Sequence, residues 1–266
     1  MFALAREILA LWRALGLLWV LTRRELATRH AGTALGMLWP YLQPLLNIAA
    51  YYVVFDVVFA MRLSEGAPTR AVGTFLVVGA LPWMAFCDAV GRGMSSLIEA
   101  GGLLQKNPLP PILFAARSVF ASTLIYSPLL VLVALLYAPL HGFGDALIGF
   151  CILLVMQLIL CLLLGYLLAV LAAALRDTVQ IFNFFLSIGI YISPVLFPIN
   201  IFPENWRWML WFNPMTPLVQ GYQNILLQGV WPPISVWLII FVWLVMLAFL
   251  LNLMIKRSGD QLVDWL

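Results

Sequence analysis

The residues best suited to a chemistry lie between positions 39 and 55. Trp39-Pro40, Gln43-Pro44, Asn47, Tyr51, Tyr52 and Phe55 place amides and aromatic rings within one apolar stretch. Aromatic faces stack on sugar rings and amides hydrogen-bond to hydroxyls. This stretch, with the later Phe182, Phe184, Phe185 and Tyr191, therefore fits the wall of a carbohydrate path. Packing of the same rings against protein is the alternative. Covalent chemistry finds little support. The 11 acidic residues stand singly, and the closest approach to a cluster is Asp260 with Asp264. No carboxylate pair or His/Asp pair is therefore placed for acid–base work. Cys87, Cys151 and Cys161 each sit inside apolar runs, and neither His30 nor His141 has a partner at ligand spacing. That pattern argues against a disulfide framework and against a bound metal. The nearest approach to a phosphate-binding loop, Gly101-Gly102-Leu103-Leu104-Gln105-Lys106, lacks both the spacing and the strand–loop–helix setting. Any nucleotide hydrolysis must come from another polypeptide.

The elements that position these residues are set by the bilayer. Of 266 residues, 64% are hydrophobic and 9% charged, and the mean hydropathy is +1.04. A soluble domain carries roughly 25% charged residues, so this composition defines an integral membrane protein. The net charge of +3 is too small and dispersed for a nucleic-acid partner. Charges punctuate long uncharged runs at 71–87, 118–144, 146–175, 178–203 and 208–255. A crossing helix needs about 20 residues. Pro214, Pro217, Gly221 and Trp231-Pro232-Pro233 divide the last run and leave one crossing in it. The reading is an all-α protein with spans at 37–60, 71–93, 113–138, 146–174, 179–200 and 233–255, which is six. Eleven of the 14 Lys and Arg residues then fall on the side of the two termini. By the positive-inside rule both termini are cytoplasmic.

Three further segments stand out. In 1–30, Arg6, Arg13 and Arg24 share one helical face, with Leu4, Ile8, Leu15, Trp19 and Leu26 nearly opposite. That is an amphipathic helix, lying either in the membrane interface or against protein. The segment 96–111 is a cytoplasmic connection bounded by glycines and prolines, and reads either as a short contact for a motor or as an ordinary loop. The connection 203–228 suggests two short helices, at 204–212 and 216–228, each too short to cross. Trp206, Trp208, Trp211 and Phe212 form either a re-entrant cap, which Tyr222 completes, or an interfacial aromatic belt. The two acids Asp56 and Asp88 lie in or near spans and are either functional or seated at helix ends that reach water, while Arg117 is expected to snorkel to the cytoplasmic interface.

Several motifs in order carry a resemblance. They are Leu35-Gly36-Met37-Leu38-Trp39-Pro40-Tyr41-Leu42-Gln43-Pro44-Leu45, Val78-Gly79-Ala80-Leu81-Pro82-Trp83, Leu175-Arg176-Asp177-Thr178-Val179-Gln180, Ser193-Pro194-Val195 and Trp211-Phe212-Asn213-Pro214-Met215. Nearly end to end, the chain resembles the permease subunit of ABC-2 polysaccharide exporters, the group that serves O-antigen, capsule and teichoic acid. The resemblance implies a bacterial inner-membrane permease that is not itself an enzyme. It implies a homodimeric channel for a lipid-linked polysaccharide, O-antigen first and capsule or teichoic acid as alternatives. It further implies two copies of a cytoplasmic ABC ATPase, with ATP and Mg bound there and no cofactor in this chain. Glu99, Leu103, Leu104, Gln105, Lys106 and Asn107 would carry the coupling contact, and Arg176 and Asp177 a cytoplasmic turn. Gln43, Asn47, Tyr51, Tyr52, Phe55, Phe182, Phe185 and Tyr191 would line the channel. Trp206, Trp208, Trp211, Phe212, Asn213, Pro214 and Tyr222 would form the periplasmic gate. The coupling segment departs from the family pattern, which often has a Phe-Pro there: Lys106 is kept, but its surround reads Gln105-Lys106-Asn107-Pro108-Leu109-Pro110.

Two rival classes are weaker. A membrane-embedded glycosyl- or acyltransferase wants clustered carboxylates at the membrane surface, and the acids here are scattered. A secondary transporter wants internal repeats and paired intramembrane charges, and no repeat is visible.

Overall fold

The computed structural model describes residues 3–29, 31–63, 67–107, 109–141, 144, 146–258, 262 and 265. Asp260, Asp264, His30 and Pro108 lie outside the described residues. The fold is helical throughout, and among the described residues β pairing is limited to an isolated bridge between Arg62 and Ala71. Two helices, α1 (Ala3–Arg13) and α2 (Leu15–Thr28), bend apart at Ala14. A short turn, Gly36–Leu38, opens α3 (Trp39–Tyr51), which passes into a π-helix over Tyr52–Val58. Then come α4 (Val72–Leu104), α5 (Ile112–His141), α6 (Ala146–Ala174) and α7 (Asp177–Gly189). The chain closes with α8 (Arg207–Leu210), α9 (Met215–Gln228) and α10 (Ile234–Ser258).

Among the described residues, five stretches are long and apolar enough to cross a membrane: Gly36–Val58, Val72–Leu104, Ile112–Tyr137, Ala146–Ala174 and Ile234–Ser258. The expected span at 179–200 differs. Its helical part is Asp177–Ile192, about 24 Å at 1.5 Å per residue and shorter than the ~30 Å hydrocarbon core. The reason is local. Pro194 forces the preceding residue out of the helical region, and Ser193 is extended at φ −149°, ψ 149°.

The second expected span also differs, by being longer. It continues past residue 93 to Leu104 as one 33-residue helix, about 50 Å long and well beyond the hydrocarbon thickness. Gly101 and Gly102 do not break it, because Leu97, Ala100 and Leu104 form a buried stripe that holds the last turns to the core. The segment 96–111 is therefore not a free-standing piece. Its first half is the end of α4, and only 105–111 turns the chain into α5.

The core is built around α4, packed between α5 and α6. At the α4–α6 crossing Gly93 faces Gly165, and a Cβ on Gly93 would lie 3.2 Å from the Gly165 Cα. The helices meet backbone to backbone there, as small residues permit in membranes. By contrast, α3 packs chiefly on α4 and α7 on α4 and α6, and neither turns much surface inward. Asp56, in the π-helix, accepts the N–H groups of Gly73 (2.7 Å) and Thr74 (3.0 Å) and so caps the first turn of α4.

Candidate coupling, channel and gate surfaces

At the basic end of the bundle, α1 docks with Leu4 and Leu11 buried while Ile8, Leu9 and Trp12 stay exposed. The Leu4 N–H donates to Asn252 on α10 (3.3 Å), and the Glu7 carboxylate accepts the Ile112 N–H (3.4 Å) and the Tyr166 O–H (3.5 Å). One face of this helix packs on protein, and an apolar flank of Ile8, Leu9 and Trp12 stays exposed. Burial lifts the Glu7 carboxyl above its ordinary value; the Ile112 and Tyr166 hydrogen bonds and the Arg6 charge pull partly back.

Of the expected coupling residues, Glu99 and Leu103 are exposed on the last turns of α4, and Gln105, Lys106 and Asn107 form an exposed tip just past its end. Asn107 closes that tip by donating its side-chain amide to the Leu103 carbonyl at 3.2 Å. Leu104 is a correction: it is buried in the core and anchors the tip, so it cannot present itself to a partner. Arg176 and Asp177 are exposed at the α6–α7 turn, with Asp177 in the first turn of α7, where the helix dipole favours an acid.

Sequence reasoning missed the strongest electrostatic feature. The Arg29 side chain is 3% exposed and grips three elements. Its guanidinium pairs with Asp88 of α4 (3.1 Å) and Glu25 of α2 (3.1 Å), and donates to the Ser118 carbonyl and the Ser122 hydroxyl of α5. Asp88 also takes Arg92 (2.8 Å) and the Ser122 O–H; Glu25 takes the Ser118 O–H and lies 3.4 Å from Arg117. Arg117 does not snorkel: four-fifths buried, it sits over the Phe114 ring beside Glu25. The available signal was Arg29 itself, which falls outside the basic stripe of Arg6, Arg13 and Arg24.

The expected channel residues fall on the two half-packed helices. Gln43, Asn47 and Tyr52 on α3 and its π extension are exposed, and Tyr51 and Phe55 are half-buried. On α7, Phe185 and, beyond it, Tyr191 are exposed, with Phe182 half-buried edge-on to Phe185. The ring contacts on these surfaces are with near neighbours in the chain, Phe185 with Phe182 and Phe184, and Phe55 with Phe59. The amides and rings stand on surfaces free to face a channel or a second copy.

At the opposite end, Trp206, Trp208 and Phe212 are exposed, and Trp208 stands edge-on to Phe212 with ring centroids 5.6 Å apart. The first short helix is less regular than expected: a 3₁₀ turn at Glu204–Trp206 and the single turn α8 replace a helix over 204–212. Arg207 organises it, donating to the Phe202 (2.9 Å) and Asn200 (3.0 Å) carbonyls and pairing with Glu204 (3.4 Å). Trp211 is half-buried, its carbonyl accepting the Trp243 indole N–H at 3.2 Å. Asn213 joins two helices. Its amide donates to the Gly189 (3.3 Å) and Ile192 (3.4 Å) carbonyls at the end of α7, and its oxygen accepts the Met215 N–H (3.0 Å) that opens α9. Pro214 precedes α9, where its missing N–H costs nothing.

Tyr222 does not join the exposed ring cluster. It is fully buried against Phe150, and its O–H donates to Gln157 of α6 (2.8 Å). Gln157 in turn donates to the Pro82 carbonyl (2.9 Å), and Gln223 to the Pro194 carbonyl (2.6 Å). These amides tie α9 to α4, α6 and the break after α7. A polar side chain within an apolar run was their only sequence signal, the same one that singled out Gln43.

The geometry defines a multi-pass helical membrane protein with an exposed tip at one end and a folded-back hairpin at the other. The profile of the ABC-2 type transporter family matches residues 16–227, and the chain belongs to that family. It is therefore a transporter permease component. It is 31% identical over 233 residues to the O-antigen export system permease protein RfbA of Myxococcus xanthus, covering 86% of this chain and 85% of the relative. A Klebsiella pneumoniae protein of the same name is 23% identical, over 80% and 81% of the two chains. The polysialic acid transport protein KpsM of Escherichia coli is 24% identical, over 77% and 79%.

Proposed function

We propose that this chain is the membrane permease of an ATP-driven exporter that carries a lipid-linked surface polysaccharide, O-antigen first, across the bacterial inner membrane. The observation that carries the cargo reading is the similarity to the Myxococcus xanthus O-antigen permease over most of both chains. Capsule is the second reading, favoured by the KpsM similarity. Two copies would place the half-packed α3 and α7 faces around one path, so that Gln43, Asn47, Tyr52, Phe185 and Tyr191 meet sugar hydroxyls and ring faces. A cytoplasmic ABC ATPase, itself holding ATP and Mg, would push on the tip at 103–107. Both termini would be cytoplasmic, as the Lys and Arg distribution requires. The residues after Ile192 would complete a fifth crossing begun by α7, giving six. The Trp206–Phe212 rings would close the periplasmic mouth.

Deleting the gene tests the cargo. Lipid-linked polymer should accumulate inside the cell while O-antigen disappears from the surface; loss of capsule with intact O-antigen would select the second reading. Lys106→Glu tests the coupling tip. A reversed charge on an exposed contact should leave insertion intact and lower export at least about tenfold, the effect of ~1.4 kcal/mol in a coupling step. Normal export by this variant, with the ATPase still bound, would move the coupling contact elsewhere.

A further inference from the structure

The Arg29 network sits at the midpoint of α4. Sixteen residues separate Asp88 from Val72 in one direction and from Leu104 in the other, about 24 Å each way at 1.5 Å per residue. One turn further along, at Gly93, α4 meets α6 backbone to backbone. The helix is thus gripped at its centre from two sides, by a guanidinium fork on one and by a glycine crossing on the other.

Each arm touches a segment singled out above. The inner arm ends in the exposed tip. The outer arm touches the α7 end and the chain beyond it: Trp83 lies against Gly189, where an added Cβ would come within 2.7 Å of the indole, and Gly79 lies against the Val195 backbone. The network is also a poor device for stability alone. Buried ion pairs are often matched or surpassed by apolar side chains of similar volume. A fork that fixes several partners at once supplies instead a defined geometry between helices. Here α2 already packs along α5, and Arg29 adds the link from that pair to Asp88 of α4.

We propose that Arg29 and Asp88 form the pivot that joins α2 to the inner arm of α4 as one moving body, so that the interface helix is part of the transmission from motor to gate. Arg29 is then a positioning residue for transport. This rests on the permease reading above. A stroke at residues 103–107 turns α4 about Asp88 and Gly93, carries α2 with it, and moves the outer arm against Gly189 and Val195.

The test uses the assembled permease–ATPase complex with Cys87, Cys151 and Cys161 replaced. Spin labels are placed at Gly16 of α2, Gly102 of α4 and Leu253 of α10; nothing lies within 4 Å of the Cβ position at either glycine, and Leu253 is exposed. On trapping with ATP, the 16–102 distance should stay constant within error while the 102–253 distance changes. In the neutral pair Arg29→Met with Asp88→Leu, the 16–102 distance should broaden on ATP binding. Export per ATP hydrolysed should fall about tenfold, although the complex still assembles and hydrolyses. Asp88→Asn, which keeps shape and hydrogen-bond acceptance, gives the same readout should the double variant fail to assemble. The proposal is overturned by a wild-type 16–102 distance that changes as much as 102–253, or by neutral variants that export per ATP as wild type does. A wild-type chain that binds no ATPase would overturn the permease reading and this inference with it.

Discussion

Removing the Asn213 side chain should loosen the joint between α7 and the outer hairpin. Its three hydrogen bonds do two jobs. The oxygen caps α9 through the Met215 N–H, and the amide satisfies two carbonyls that α7 leaves open when it ends before Ser193. Loss of a cap costs about 0.5–2 kcal/mol. The two longer bonds, at 3.3 and 3.4 Å, add about 0.5–1 kcal/mol between them. Asn213→Ala should therefore lower the local opening free energy by roughly 1–3 kcal/mol, a five- to 150-fold rise in the open population. Ser193→Cys is a suitable reporter. Ser193 is fully buried and its hydroxyl has no hydrogen-bond partner, so a thiol replaces it at little cost. In a background without the three native cysteines, labelling of this thiol by an impermeant maleimide measures opening when closing outpaces reaction. Asn213→Asp keeps the cap but loses the donor and sets a charge against two carbonyls, so its labelling rate should also exceed wild type. Labelling within twofold of wild type in both variants would refute the role given to these bonds. Labelling only from the cytoplasmic side would refute the topology.

Two glycines of α4 should respond oppositely to alanine: Gly93→Ala should lose about 1–3 kcal/mol by forcing α4 off α6, whereas Gly102→Ala, with open space at its Cβ, should gain about 0.5–1 kcal/mol. Equal shifts in detergent unfolding would contradict the crossing. The Glu7 carboxyl is raised in the folded protein above its ordinary 4.5, so its contribution to docking of α1 is full below that pH and declines as pH climbs through the raised value. Glu7→Gln should therefore raise the unfolding temperature at pH 7 and converge with wild type in acid; a constant difference across pH would exclude the effect. Trp208→Ala, which removes an exposed ring standing against Phe212, should raise resting permeability to small solutes in proteoliposomes without altering assembly; an unchanged leak would assign the cluster to the headgroup belt.

What the sequence made legible was what a bilayer dictates. Uncharged runs of sufficient length become crossing helices: 113–138 and 146–174 fall inside α5 and α6, and 233–255 lies inside α10 but for its first residue. The two departures arise where charge and length stop being decisive. Residues 178–203 are uncharged, yet Pro194 ends the helix. Arg92 lies beyond an uncharged run, yet the helix continues through it, because Asp88 neutralises it and a buried stripe carries on to Leu104. The site was legible by residue type but not by orientation. Gln43 and Asn47 read as lining a path and Tyr222 as completing the cap at its mouth, and only packing separates the exposed first two from the buried third. The Arg29 network was illegible because its members come from three segments between 25 and 122, and no local spacing reports such a meeting.

The burial pattern also sorts the outer hairpin into fixed and movable parts. Most of α9 is buried, and through Tyr222 and Gln223 it is bonded to Gln157 and the Pro194 carbonyl. Each of those bonds lies in surroundings where water is scarce, so breaking one leaves unsatisfied groups. No residue of α7 is fully buried, and its outer end is held by Trp83, Gly79 and Asn213. If the mouth opens, the low-cost motion is therefore α7 swinging against a stationary α9, with Asn213 as the joint. The exposed rings of Trp206, Trp208 and Phe212 sit on the short turn immediately before that joint. On the gate reading proposed above, a small rotation there would move the rings while the bonded core of α9 stays in place.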